Sequence, residues 1–304
     1  MGRRATLNAK KRNRRIITIS IVVAIIAVIV VLTLLVQGSG NSSPLIGKPV
    51  SASDLQAITG VSDSTLSTIG KPSGVTAPDA INGTPLTSGG KPEVVYVGGD
   101  YCPYCAVERW SLIMALSRFG SFSGLEYMQS SATDINSNTP TFTFSGSNYT
   151  SQYITFVGVE EYDRAESVTQ TLNSAQGGLV TSYDTCPGAS SGGGIPFVDI
   201  ANAYAVNCGA QSTLDIAGQN WTQITSVLDN PTSPTAQLID GAANTLITAI
   251  CKVDGGQPGS VCTQSYATLT LAYSTASGPA VQTSMLLLTP LREEARWTSL
   301  ASRL

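Results

Sequence analysis

Cys102 and Cys105 stand two residues apart in Cys102-Pro103-Tyr104-Cys105, the strongest chemical signal in the chain. A thiolate is the nucleophile of disulfide exchange, and a second thiol one helical turn away can displace the mixed disulfide that forms. The pair could also be half of a structural metal site. A four-cysteine site needs a second close pair, however, and the sequence has no other CxxC. Histidine is absent, which excludes Ser-His-Asp and Cys-His nucleophiles and histidine-ligated zinc.

The flanking elements have to place this pair. Residues 93–97 (Glu-Val-Val-Tyr-Val) are β-branched and aromatic and predict a buried strand. Gly98-Gly99-Asp100 predicts a turn. Pro103 suits the first position of a helix, where its missing N–H would go unpaired anyway. Val107, Trp110, Ile113 and Met114 recur at helical spacing, and Gly120 is the expected stop. Cys102 is thereby placed at a helix N-terminus, where unpaired N–H groups and the helix dipole favour a thiolate. It should be the more exposed and more acidic thiol, and Cys105 the shielded one. Glu108 and Arg109 follow on the same helix and are expected on its solvated face.

The first forty residues bear on where such chemistry would happen. Residues 1–15 hold seven basic residues and no acid, and residues 16–36 are 21 consecutive residues of Ile, Val, Leu and Ala broken only by Thr and Ser. That length crosses about 30 Å of hydrocarbon as one helix. The basic flank should stay cytoplasmic, which exports the remainder as an uncleaved, single-pass membrane protein. A cleaved signal peptide would have a shorter apolar core and a small-residue site after it, and Gln37-Gly38-Ser39-Gly40 is no such site. The formal net charge is −3; without the seven N-terminal cations the exported part carries −10, which does not suit nucleic acid.

Six cysteines in an exported domain suggest disulfides. With Cys102 and Cys105 as one pair, three pairings of the others remain, and local ones, Cys186 with Cys208 and Cys251 with Cys262, are the simplest. Residues 37–84 read as a tether and an arm, with weak helical periodicity over 52–69, lying on a domain spanning 85–262. Residues 263–304 read as a peripheral tail. Strands are expected at 125–129, 141–144 and 153–159, the last two joined around Gly146, and a helix at 160–172. A hairpin is expected from Phe197–Ile200 and Tyr204–Asn207, and helices at 221–228 and 235–251. The glycine-serine stretch 188–194 lacks the Lys-Ser/Thr of a phosphate-binding loop.

The strand–CPYC–helix unit resembles the thioredoxin-like superfamily. So does Gly194-Ile195-Pro196-Phe197, where Pro196 opens a strand as the cis proline beside the active cysteines does in such proteins. The stretches KPEVVYV (91–97), DYCPYCAVERW (100–110) and MALSRFG (114–120) resemble more specifically the DUF929 family of membrane-anchored archaeal and bacterial proteins, over about residues 85–262. The resemblance implies an α/β fold, a thioredoxin-like sheet flanked by helices, behind one N-terminal transmembrane helix. The roughly 90 residues between Cys102 and Pro196 imply an insertion. Tyr101 stands where thioredoxin has tryptophan, and the Pro-Tyr dipeptide is similar to that of glutaredoxins.

These features make the leading expectation a membrane-tethered thiol–disulfide oxidoreductase. It would act on thiols or disulfides of exported proteins and be served by an unidentified redox partner, with no cofactor and no metal. Cys102 and Cys105 would be catalytic, supported by Pro103, Tyr104, Ile195 and Pro196. The rival is a thioredoxin-like binding module whose CxxC is a static disulfide. A soft-metal carrier using both thiolates is a weaker third reading, with no Met or His nearby.

Overall fold

The computed structural model describes residues 42–186, 194–209 and 216–271. In chain order the first elements are α1 (Ala52–Thr59), α2 (Asp63–Ile69), β1 (Asp79–Ala80), β2 (Thr87–Ser88), β3 (Lys91–Gly99) and α3 (Pro103–Leu116). Next come β4 (Gly120–Ser123), β5 (Glu126–Gln129), β6 (Pro140–Thr143), β7 (Asn148–Ser151), β8 (Thr155–Tyr162) and α4 (Ser174–Tyr183). The last are β9 (Phe197–Ile200), β10 (Tyr204–Asn207), α5 (Trp221–Thr225), α6 (Pro234–Val253), α7 (Gly259–Cys262) and a 3₁₀ turn, Ser265–Ala267.

The fold is mixed α/β, with a central mixed sheet flanked by helices. β3 is its spine, running parallel to β8 on one side and antiparallel to β9 on the other. The order continues through β10 to β1, and β2 pairs with the start of β3. Successive side chains of a strand point to opposite faces. Val94 and Tyr96 therefore enter one apolar cluster with α3 and α6, while Val95 and Val97 enter a second with Leu179 and Val180 of α4. The hairpin of β9 and β10 matches the expected residues, with Tyr204 opposite Ile200 and Asn207 opposite Phe197.

α3 is buried on every side from Cys105 to Leu116. The sheet lies along it, and α6 packs against it, with Ser111 Oγ donating to Ile239 O at 3.0 Å. Trp110 Nε1 donates to Pro140 O at 2.9 Å and Thr141 Oγ1 to Ala106 O at 2.7 Å, which fastens β6 to the same helix.

Several expectations need correction. Residues 160–172 are not a helix: β8 continues to Tyr162 because it pairs in parallel with β3, and Asp163 Oδ1 then accepts from Ala165 N and Ser167 N in a tight turn. The helix comes later, as α4, with Asn173 and Gln176 forming a reciprocal cap. The strands flanking Gly146 do not pair with each other; β6 pairs with β5 and β7 with β4, while β8 joins the central sheet. α3 ends at Leu116 and not at Gly120, which instead opens β4.

The core also reaches beyond residues 85–262. Ile58 of α1 and Leu66 of α2 are fully buried in the main cluster, β1 is a strand of the sheet, and Tyr266 is 1% exposed. The expected membrane span, 16–36, lies outside the described residues, as does most of 263–304. Among the described residues no helix is long and apolar enough to cross a membrane.

Candidate functional site

The C-terminal end of β3 delivers the chain into the dithiol. Asp100 N donates to Tyr162 O at 2.9 Å, which carries the pairing of β3 and β8 past the last strand residue. Cys102 then caps α3 with extended backbone, and Pro103 occupies the first turn as expected. Its Sγ accepts from Cys105 N at 3.3 Å. A sulfur receiving an amide N–H at a helix N-terminus is stabilised as a thiolate. The Cys102 thiol is accordingly held below its ordinary pKa, chiefly by its interaction with Cys105, with Arg109 adding to the effect against the opposing cost of burial.

Cys105 has no exposed surface, and burial pushes its thiol well above the ordinary value. Cys102 is itself only 6% exposed. The expected order of acidity therefore holds, but by hydrogen bonding and relative burial more than by open access. Tyr104, between them, is 40% exposed and forms the outer lip.

Ile195 and Pro196 come to this end of the sheet at the start of β9. The Ile195–Pro196 bond is cis, and Ile195 O accepts from Cys102 Sγ at 3.7 Å. Pro103, Tyr104, Ile195 and Pro196 thus all gather around the dithiol. Gly209, just past β10, lines the same wall: a Cβ built there would lie 3.3 Å from Pro196 Cγ and 3.8 Å from Tyr104 Cβ. Both local disulfides are formed. Cys186–Cys208 ends one residue before Gly209, and Cys251–Cys262 ties α6 to α7 within the helical layer.

Glu108 and Arg109 are the main surprise. Neither is on a solvated face; both are completely buried, because α3 is covered all round. Arg109 Nε and Nη2 donate to the two oxygens of Glu160 at 2.8 and 2.7 Å, and Nη2 lies 3.6 Å from Asp100 Oδ1. Its guanidinium also sits 5.7 Å from the centre of the Tyr96 ring. Burial opposes the charge of Arg109, but Glu160, Tyr96 and Asp100 outweigh it and hold the side chain protonated. Burial pushes the Glu160 and Asp100 carboxyls up while Arg109 pulls them back.

A buried cation thus stands within electrostatic reach of both thiols. Its effect on Cys105 opposes burial and the interaction with Cys102, which hold the Cys105 proton on.

Sequence reasoning missed Arg109, Glu160, Asp100, Tyr96 and Gly209. One signal was legible: Gly98 follows Tyr96 by two, on the same face of the strand. A Cβ at Gly98 would meet the Tyr96 hydroxyl at 2.0 Å, so this glycine leaves room for the ring. Nothing local linked Arg109 to an acid 51 residues away. Among the described residues no group of three or more Cys, Asp or Glu could hold a metal ion.

The fold and site define a mixed α/β domain with a dithiol at the N-terminus of its central buried helix. The family model "Domain of unknown function (DUF929)" matches residues 79–252, and the chain belongs to that family. No curated protein and no solved structure matches it.

Proposed function

We propose that the protein is a thioredoxin-like thiol–disulfide oxidoreductase, anchored by residues 16–36 and acting outside the cytoplasm on exported proteins. One observation carries this reading: Cys102 Sγ caps the helix and accepts from Cys105 N, while Cys105 is sealed beneath it. Support for the fold assignment comes from the strand–dithiol–helix unit and from the X-Pro bond that opens β9 beside Cys102. The apolar length and basic flank of the N-terminus support the anchor.

In the reaction, the Cys102 thiolate attacks one sulfur of a substrate disulfide. A Cys102–substrate bond forms, the substrate S–S bond breaks, and the other substrate sulfur leaves as a thiolate that takes a proton. Cys105 loses its proton and attacks Cys102 Sγ, releasing the second substrate thiolate and closing Cys102–Cys105. Two electrons pass to the substrate, and the reverse sequence oxidises it.

Alkylation of the reduced protein at mildly acidic pH should label Cys102 well before Cys105. Cys105→Ala should accumulate mixed disulfides through Cys102, and Cys102→Ala should form none. Equal slow labelling with no trapped species would instead favour the static binding module, the reading that the low exposure of Cys102 supports. Protease treatment of intact cells should remove a C-terminal tag; a protected tag would reverse the proposed orientation.

A further inference from the structure

We propose that the Cys186–Cys208 disulfide is a second redox pair that exchanges with Cys102 inside the same chain, an inference resting on the oxidoreductase reading. The hairpin register leads to it. Asn207, the last paired residue of β10, is opposite Phe197, and the chain leaves the pairing there, with Cys208 at φ +61° on one strand and Pro196 on the other. The contacts agree. Gly209 adopts φ +81°, and a Cβ there would lie 3.3 Å from Pro196 Cγ and 3.8 Å from Tyr104 Cβ. Ile195, the next residue back, has its carbonyl on Cys102 Sγ at 3.7 Å. Cys208 is therefore one residue from backbone that touches both the dithiol's own dipeptide and the proline facing it.

The two disulfides of the chain differ in setting. Cys251 is buried against the helical core, and its partner Cys262 is partly buried beside it, in α7. Cys186 and Cys208 are only partly buried, at the rim of the site. Exchange needs an accessible sulfur beside an activated thiolate, and that rim supplies both.

The step balances within the chain. The Cys102 thiolate attacks Cys208 Sγ, the Cys186–Cys208 bond breaks, and Cys186 leaves as a thiolate and takes a proton. Cys105 then loses its proton and attacks Cys102 Sγ, and Cys208 leaves as a thiolate and is protonated. The CxxC ends oxidised and the Cys186/Cys208 pair reduced, with two electrons moved and no external reagent consumed.

The test uses the full chain carrying Cys105→Ser and Cys186→Ser, which leaves Cys102 and Cys208 as partners. After incubation with oxidised glutathione, peptide mapping without reductant should find a Cys102–Cys208 linked peptide as the main product. Glutathione on Cys102 and on Cys208 with no linked peptide overturns the relay and leaves the oxidoreductase reading intact. A Cys102 that takes up neither overturns both. Should the variant not fold, the wild-type chain with one equivalent of dithiothreitol, acid-quenched and differentially alkylated, answers the same question. Label should appear on Cys186 and Cys208 as well as on Cys102 and Cys105, with Cys251 and Cys262 unlabelled. Label confined to Cys102 and Cys105 overturns the proposal.

Discussion

Two arginines from one stretch of chain meet buried acids in opposite ways. Arg109, midway along α3, is clamped by both oxygens of Glu160 and lies close to Asp100. Arg118, just past the end of α3, turns outward to the N-terminal arm, donating to Val61 O and to Asp63 Oδ1. Asp240 of α6 lies within electrostatic range of Arg118, yet both its oxygens are buried with no hydrogen-bond partner among the described residues. The first cluster pairs Arg109 with Glu160 through two hydrogen bonds, with Asp100 beside them. The second leaves an acid inside the helical layer that burial pushes up to about 8, with Arg118 lowering it and Asp229 raising it. Burial pushes all three carboxyls up; Arg109 pulls Glu160 and Asp100 back at close range, while Asp240 has Arg118 only at a distance.

Breaking the Arg109 cluster should have the largest effect. Arg109→Met strands two buried carboxyls, and removing one partner of a buried pair costs about 3–5 kcal/mol. Denaturant unfolding at pH 7 measures it, and a loss below about 1 kcal/mol would erase the contrast. The change should also raise the pKa of Cys102, read from the pH dependence of its alkylation.

The open acid makes a prediction of opposite sign. Asp240 has a folded pKa of about 8 against an ordinary 3.8, so between those values the folded state holds a proton that the unfolded state has lost. Stability therefore falls as pH rises through that window and levels off above it. Asp240→Asn should flatten the decline, adding about 1–3 kcal/mol at pH 9 and little at pH 4. An unchanged slope would mean that Asp240 is solvated or paired. Asp199, which burial raises to about 7, should leave a residual slope in that variant.

A smaller effect sharpens the comparison from the arm side. Tyr266 donates to the same Asp63 Oδ1 that holds Arg118, at 2.8 Å. Tyr266→Phe keeps the buried ring and removes that bond, costing about 1 kcal/mol. Because Tyr266 is in the core, deleting everything after Cys262 should cost much more than Tyr266→Phe. Equal losses would return residues 263–271 to the periphery.

Whatever depends on neighbours along the chain was readable from the residues alone. A β-branched run, a glycine turn and Pro103 after Cys102 are enough to set a strand, a loop and a capped helix, so the dithiol's place at a helix start was legible. The β9–β10 hairpin and both short-range disulfides follow from the same locality. Tertiary structure alone decided the charge beneath the thiols. Glu108-Arg109 reads as a polar helix face until one knows that α6, β6 and the sheet cover every side of α3. Residues 160–172 carry acids at plausible helical spacing, but parallel pairing with β3 draws their start into the sheet and sets Glu160 against Arg109. That contact spans 51 residues of sequence and exists only because two strands and a helix are stacked, which no local pattern encodes.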